Sequence, residues 1–121
     1  MDVQSKVCLM NYNIVTYPQF EKELKRLAKK YRSLKSDFVT FLQELQENPN
    51  EGAQLGHGLR KVRMSIASKG KGKSGGARVI TLTAIVDVES TEIGLLYVYD
   101  KSERESITDK ELQKIIKANG L

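Results

Sequence analysis

The chain has 121 residues, 40% hydrophobic and 29% charged, with a net charge of +5; that is enough for one packed core and too apolar for a disordered chain. No apolar run approaches the roughly 18 residues of a membrane span, and the N-terminus carries an early Asp2 with no signal-peptide pattern, so a cytoplasmic protein without a membrane partner is expected. One cysteine, Cys8, and one histidine, His57, exclude an intrachain disulfide and a zinc ligand set; Cys8 is expected to be a packed residue.

Residues 1–9 read as an N-terminal extension and residues 10–121 as a single domain. Met10, Tyr12 and Ile14 alternate loosely with polar residues, which predicts a first strand, and Pro18 stands where a helix can begin. Phe20, Leu24, Leu27, Ala28 and Tyr31 recur at helical spacing. After Ser33 the set Phe38, Phe41, Leu42 and Leu45 repeats the pattern, with Ser36 and Asp37 as capping residues, so the two helices are expected to form a hairpin. Asn48-Pro49-Asn50 ends the second helix, and the glycine-rich stretch after it reads as a loop.

From Leu59 to Ile66 the alternation is strict: Val62, Met64 and Ile66 point to a core, and Lys61, Arg63 and Ser65 to the other face. Ser68 to Gly76 reads as a long basic hairpin tip whose lysines point outward. Two β-rich runs follow, Arg78 to Val86 and Ile93 to Tyr99, separated by an acidic linker from Asp87 to Glu92. Thr108-Asp109-Lys110-Glu111 matches a capping box, opening a last helix with Leu112, Ile115 and Ile116 on one face and Gly120 beyond its end. Early helices and late strands favour an α+β domain: a helical hairpin on a mainly antiparallel four-stranded sheet, in the order β-α-α-β-β-β-α.

Charge is distributed unevenly. From Gly52 to Val86 there is no Asp or Glu, while Arg60, Lys61, Arg63, Lys69, Lys71, Lys73 and Arg78 all fall there, a pattern that suits either a polyanion or a solvated loop. No hydrolase triad is evident, the carboxylates cluster outside the basic segment, and the Gly-Lys-Ser triplet lacks a phosphate loop's spacing. The remaining chemistry is that of cations. RNA cleavage by its own 2′-hydroxyl needs orientation, stabilised charge on the phosphate and two proton transfers. Arginines and lysines supply the first two, and a lysine depressed by neighbouring cations can act as a base. Tyr97, Tyr99 or Lys101 is available as an acid or a stacking surface; for the tyrosines, packing is an equal alternative.

Leu59-Arg60-Lys61-Val62-Arg63-Met64, the glycine-lysine turn from Lys69 to Gly76, and Ala77-Arg78-Val79-Ile80 together resemble the HigB-like branch of the RelE/ParE toxin superfamily, as do Tyr17-Pro18-Gln19-Phe20 and Leu95 to Lys101. The resemblance spans about Met10 to Lys117. It implies a metal-independent, cofactor-free endoribonuclease that cuts mRNA in the ribosome, with rRNA contacts, and a cognate antitoxin as partner. The family's basic pair on the second strand falls on Lys61 and Arg63, and its third-strand arginine on Arg78. A further arginine falls near Ser102 and a late tyrosine near Thr108, so Tyr99, Lys101, Arg104 or a turn lysine (Lys71, Lys73) is left to supply the missing charge or proton. Arg60, Lys69, Lys71 and Lys73 are expected to grip RNA backbone. The alternatives on the same fold are a ParE-like inhibitor of DNA gyrase and a binding module without efficient catalysis.

Overall fold

The computed structural model describes residues 12–70, 72–87 and 90–121; Cys8, the extension at residues 1–9 and Lys71 lie outside the described residues. Strand β1 (Tyr12–Thr16) leads into helix α1 (Pro18–Lys30), which Pro18 opens at its first position, where no intrahelical amide partner is needed. Helix α2 (Leu34–Glu47) follows after three residues. It begins a turn earlier than Ser36 and Asp37 suggest, because Leu34 is fully buried and draws the first turn into the core. The Asp37 carboxylate instead accepts the Ala67 amide (3.1 Å) and the Ser33 hydroxyl (2.7 Å), so it ties the hairpin to the basic tip.

Among the described residues the sheet has five strands in the order β1-β5-β4-β3-β2, with β2 (Ala53–Gly56), β3 (Leu59–Met64), β4 (Ala77–Asp87) and β5 (Ser90–Asp100). β1 runs parallel to its neighbour, β5; the β2–β3, β3–β4 and β4–β5 pairs are antiparallel. Two expectations need correction. The stretch read as a loop contains β2: His57 and Gly58 both have positive φ (54° and 82°), and a two-residue turn of that kind matches strand twist and closes a hairpin. The acidic segment from Asp87 to Glu92 is largely strand, since Thr91 and Glu92 pair with Ile85 and Ala84 and cross-strand pairing outweighs acidic composition.

Two apolar clusters sandwich the sheet. Against the hairpin face, Phe20, Leu27, Leu34, Phe41 and Leu45 meet Val62, Met64 and Val79, among others. Each such side chain, fully buried, contributes about 1.5–3 kcal/mol. The opposite face holds Leu59, Ile80, Leu96 and Tyr99 under Leu112 of helix α3 (Asp109–Ala118), which opens with the expected capping box: Thr108 accepts the Glu111 amide, and Glu111 reaches back to the Thr108 amide. A bulge lets both clusters form. Ile80 pairs with Tyr97 but Thr81 with Leu95, so Leu96 is the extra residue and both Leu96 and Tyr97 join the α3 side. α3 covers only part of its face. Beyond it, towards the tip, lie Lys61, Arg63 and Arg78.

Candidate functional site

Strand register assembles the centre of the site. Arg63 stands opposite Arg78, and Arg78 opposite Tyr99, while Lys61 stands opposite Ile80 one step along. Since paired residues share a face, Lys61, Arg63 and Arg78 all project to the side not covered by the hairpin. There an open cleft of about 540 Å³ has these three on its floor and wall. The tip contributes Lys73, and the turn beyond β5 contributes Lys101 and Glu105; Glu51, Gly52 and Ala53 close the side next to β3.

The five cations in the cleft are not equivalent. Arg78 is only 8% exposed, and its guanidinium donates to the carbonyls of Ser74 (3.0 Å), Lys73 (3.2 Å) and Ala77 (3.2 Å). It braces the tip from within rather than standing half-exposed. Lys73 is paired with Glu44 (3.2 Å) and Glu51 (3.5 Å). The Glu44 contact above all raises the Lys73 pKa, so this lysine is not one that neighbouring cations push down. Lys101 donates to the Glu105 carboxylate (3.0 Å) and carbonyl (3.2 Å). Among the described residues, neither Lys61 nor Arg63 has a carboxylate partner. Arg78 has none either, but its guanidinium is taken up by carbonyls, so Lys61 and Arg63 are the cleft cations left without a side-chain or backbone partner among the described residues.

The other sequence-predicted residues lie elsewhere. Tyr99 is buried under α3, its hydroxyl without a hydrogen-bond partner among the described residues. Arg104 lies over the Tyr99 ring (5.6 Å to the centroid) and donates to Glu111 (2.5 Å) and the Ser106 carbonyl (3.0 Å). This bond pulls the Glu111 carboxyl down to about 2 and raises Arg104. Arg60, next to Lys61 in an alternating strand, points to the opposite face and donates to the Asn50 carbonyl (3.0 Å). His57 sits in the β2–β3 turn, apart from the cleft.

Lys69 does not point outward. Its side chain is 7% exposed and its ammonium meets the fully buried Asp100 carboxylate at 2.7 Å. Tyr31 (2.5 Å) and the amide and hydroxyl of Ser102 (2.9 and 2.7 Å) also donate to Asp100, and Lys30 reaches it at 3.3 Å. Burial by itself raises the Asp100 pKa, but the bonds from Lys69, Ser102 and Tyr31 outweigh it and hold this carboxyl well below the ordinary range. The network joins the end of α1, the tip and the end of β5, next to Lys101.

Sequence reasoning missed Asp100, Glu51 and Glu105. An acidic residue closing the apolar run from Ile93 was the available signal for Asp100. Glu105 stands four residues after Lys101, a local spacing that could have marked the pair, whereas nothing local marks Glu51, which meets Lys73 only through the fold. The carboxylates expected to lie apart from the basic segment are therefore in part beside it.

Among the described residues no helix is long and apolar enough to cross a membrane, and no group of His, Cys, Asp and Glu is arranged to hold a metal ion. The description "RelE toxin of RelE / RelB toxin-antitoxin system" matches residues 20–120, from the first turn of α1 to the end of α3. That span includes every side chain of the cleft and implies an antitoxin partner. The chain belongs to the RelE toxin family, the toxin component of a toxin–antitoxin system.

Proposed function

We propose that this toxin is a ribosome-dependent endoribonuclease that cleaves translated mRNA without a metal ion. The observation that carries the reading is the pair Lys61 and Arg63, side by side on the floor of an open cleft and free of carboxylate partners among the described residues. A phosphodiester is the ligand that such a pair suits: Arg63 offers a planar fork of donors and Lys61 a compact charge, and together they stabilise the extra negative charge of a pentacoordinate phosphorane. The cleft is broad and open, which fits a single strand presented by a larger assembly better than a small enclosed substrate.

The test is primer extension on an abundant transcript after brief induction of the toxin without its antitoxin, beside the Lys61→Ala/Arg63→Ala double variant. Cuts within translated codons that disappear in the variant are the expected result. Intact mRNA with growth arrest would transfer the reading to a gyrase inhibitor of the ParE type, and intact mRNA without arrest to a binding module.

A further inference from the structure

We infer that Glu51 is the general base of the cleft, taking the proton of the attacking 2′-hydroxyl; this rests on the endoribonuclease reading above. RNA cleavage needs a proton acceptor on one side of the scissile phosphate and a donor on the other, because nucleophile and leaving group stand in line. The cleft has that polarity. Glu51 and Lys73 occupy the side next to β2 and β3, Lys101 and Glu105 the side beyond β5, with Lys61 and Arg63 between them.

Of the two carboxylates, Glu51 is the positioned one. Its side chain is 31% exposed and paired with Lys73, whereas Glu105 is 90% exposed. The backbone after Glu51 is also pinned. Gly52 has φ +97°, and a Cβ there would lie 2.5 Å from the Lys61 carbonyl oxygen, so the Glu51–Gly52 segment packs directly on the strand that carries the two free cations. The charged groups around Glu51 are Lys73 from the tip, Lys61 and Arg63 from β3, Arg78 from β4, and Glu44 of α2, which shares Lys73.

The step balances without a co-reactant. The 2′-oxygen forms a bond to phosphorus as its proton passes to Glu51, the bond from phosphorus to the 5′-oxygen breaks, and the Lys101 ammonium protonates the leaving oxygen. The products are a 2′,3′-cyclic phosphate and a 5′-hydroxyl; Glu51 then releases its proton to water and the neutral Lys101 amine takes one from it, which restores both groups.

The experiment is single-turnover cleavage of mRNA on programmed ribosomes by the full chain, with ribosome association measured in parallel. Glu51→Gln should slow cleavage by about 100-fold or more, within the usual range for a general base, with association unchanged and with the fall in rate towards acidic pH abolished. Glu51→Asp should recover part of the rate. Lys73→Ala, which removes the partner of Glu51 but keeps its carboxylate, should slow cleavage less than Glu51→Gln and preserve the fall in rate towards acidic pH. A substrate with a bridging 5′-sulfur leaving group, which needs no protonation, should rescue Lys101→Ala but not Glu51→Gln. Full activity of Glu51→Gln, loss of ribosome association by it, an equal loss in Lys73→Ala, or rescue of Glu51→Gln by the sulfur substrate each overturns the inference. If Lys61→Ala/Arg63→Ala also cleaves at the parental rate, the endoribonuclease site itself is misplaced. If only the double variant is inactive, that site stands and Glu51 is not its base.

Discussion

Arg63 and Arg78 face each other across neighbouring strands, yet only Arg63 offers its charge to the cleft. Two like charges directly opposite on a sheet are unfavourable. The conflict is relieved because Arg78 turns onto the carbonyls of Lys73, Ser74 and Ala77. One arginine becomes scaffold and the other remains available to a ligand.

Arg78→Ala is therefore expected to act first through stability. It removes a donor from three carbonyls, of which that of Lys73 keeps the Gly76 amide (3.4 Å), at a cost of about 1–3 kcal/mol, while Arg63→Ala at an exposed position should stay within about 0.5 kcal/mol of the parent. Urea denaturation of the two single variants checks the contrast. Equal midpoints would show that Arg78 does not brace the tip.

The Asp100 network yields a prediction about acid. Its carboxyl is lowered in the folded state, so its contribution to stability is complete above the ordinary carboxylate value of 3.8 and is lost as pH falls from there towards the lower folded value. Glu103, held near 2 mainly by Arg26 and then Lys30, acts in the same direction, its contribution being lost as pH falls from 4.5 towards about 2. Lys69→Ala should cost about 3–5 kcal/mol at neutral pH, because it leaves the fully buried Asp100 charge without its closest cation. The gap between parent and variant should narrow below pH 4. A stability difference that is constant from pH 7 to pH 3 would contradict this assignment.

That lysine also shows where sequence reading stops. The helices, the three longer strands after them and the capped last helix follow from periodicity, and so does the shared face of Lys61 and Arg63, because alternation dictates it. Lys69 and Lys73 look equivalent in a run of glycines and lysines, but one is drawn inward by Asp100 and the other lies on the cleft wall. No local pattern encodes that difference, since Asp100 lies 31 residues away. The same holds for Arg104, which is drawn to Glu111 and the Tyr99 ring. Ser102 and Thr108, where the resemblance implies an arginine and a tyrosine, prove to be partners of Asp100 and the cap of α3.

The capping box gives an independent measure of how α3 is held. Thr108→Ala removes the side-chain acceptor of the Glu111 amide and should destabilise the fold by about 1 kcal/mol. Because α3 lies over Tyr99 and not over Lys61 and Arg63, ribosome association should change little. Thermal unfolding and co-sedimentation with ribosomes test the two parts separately. A loss of association larger than the loss of folded protein would mean that α3 takes part in binding.

Salt dependence distinguishes cations that touch a polyanion from cations that shape the protein. Each phosphate contact contributes close to one unit to the slope of log affinity against log salt. The Lys61→Ala/Arg63→Ala variant should thus bind ribosomes more weakly and reduce the slope by about 2, whereas Lys69→Ala, once corrected for its folded fraction, should leave the slope unchanged. Lys73→Ala should fall between them, because a phosphate reaching Lys73 must compete with Glu44 and Glu51 for it. If Lys69→Ala lowers the slope as much as the double variant does, the buried pair with Asp100 opens on the ribosome, and the division between scaffold and contact drawn for these lysines is wrong.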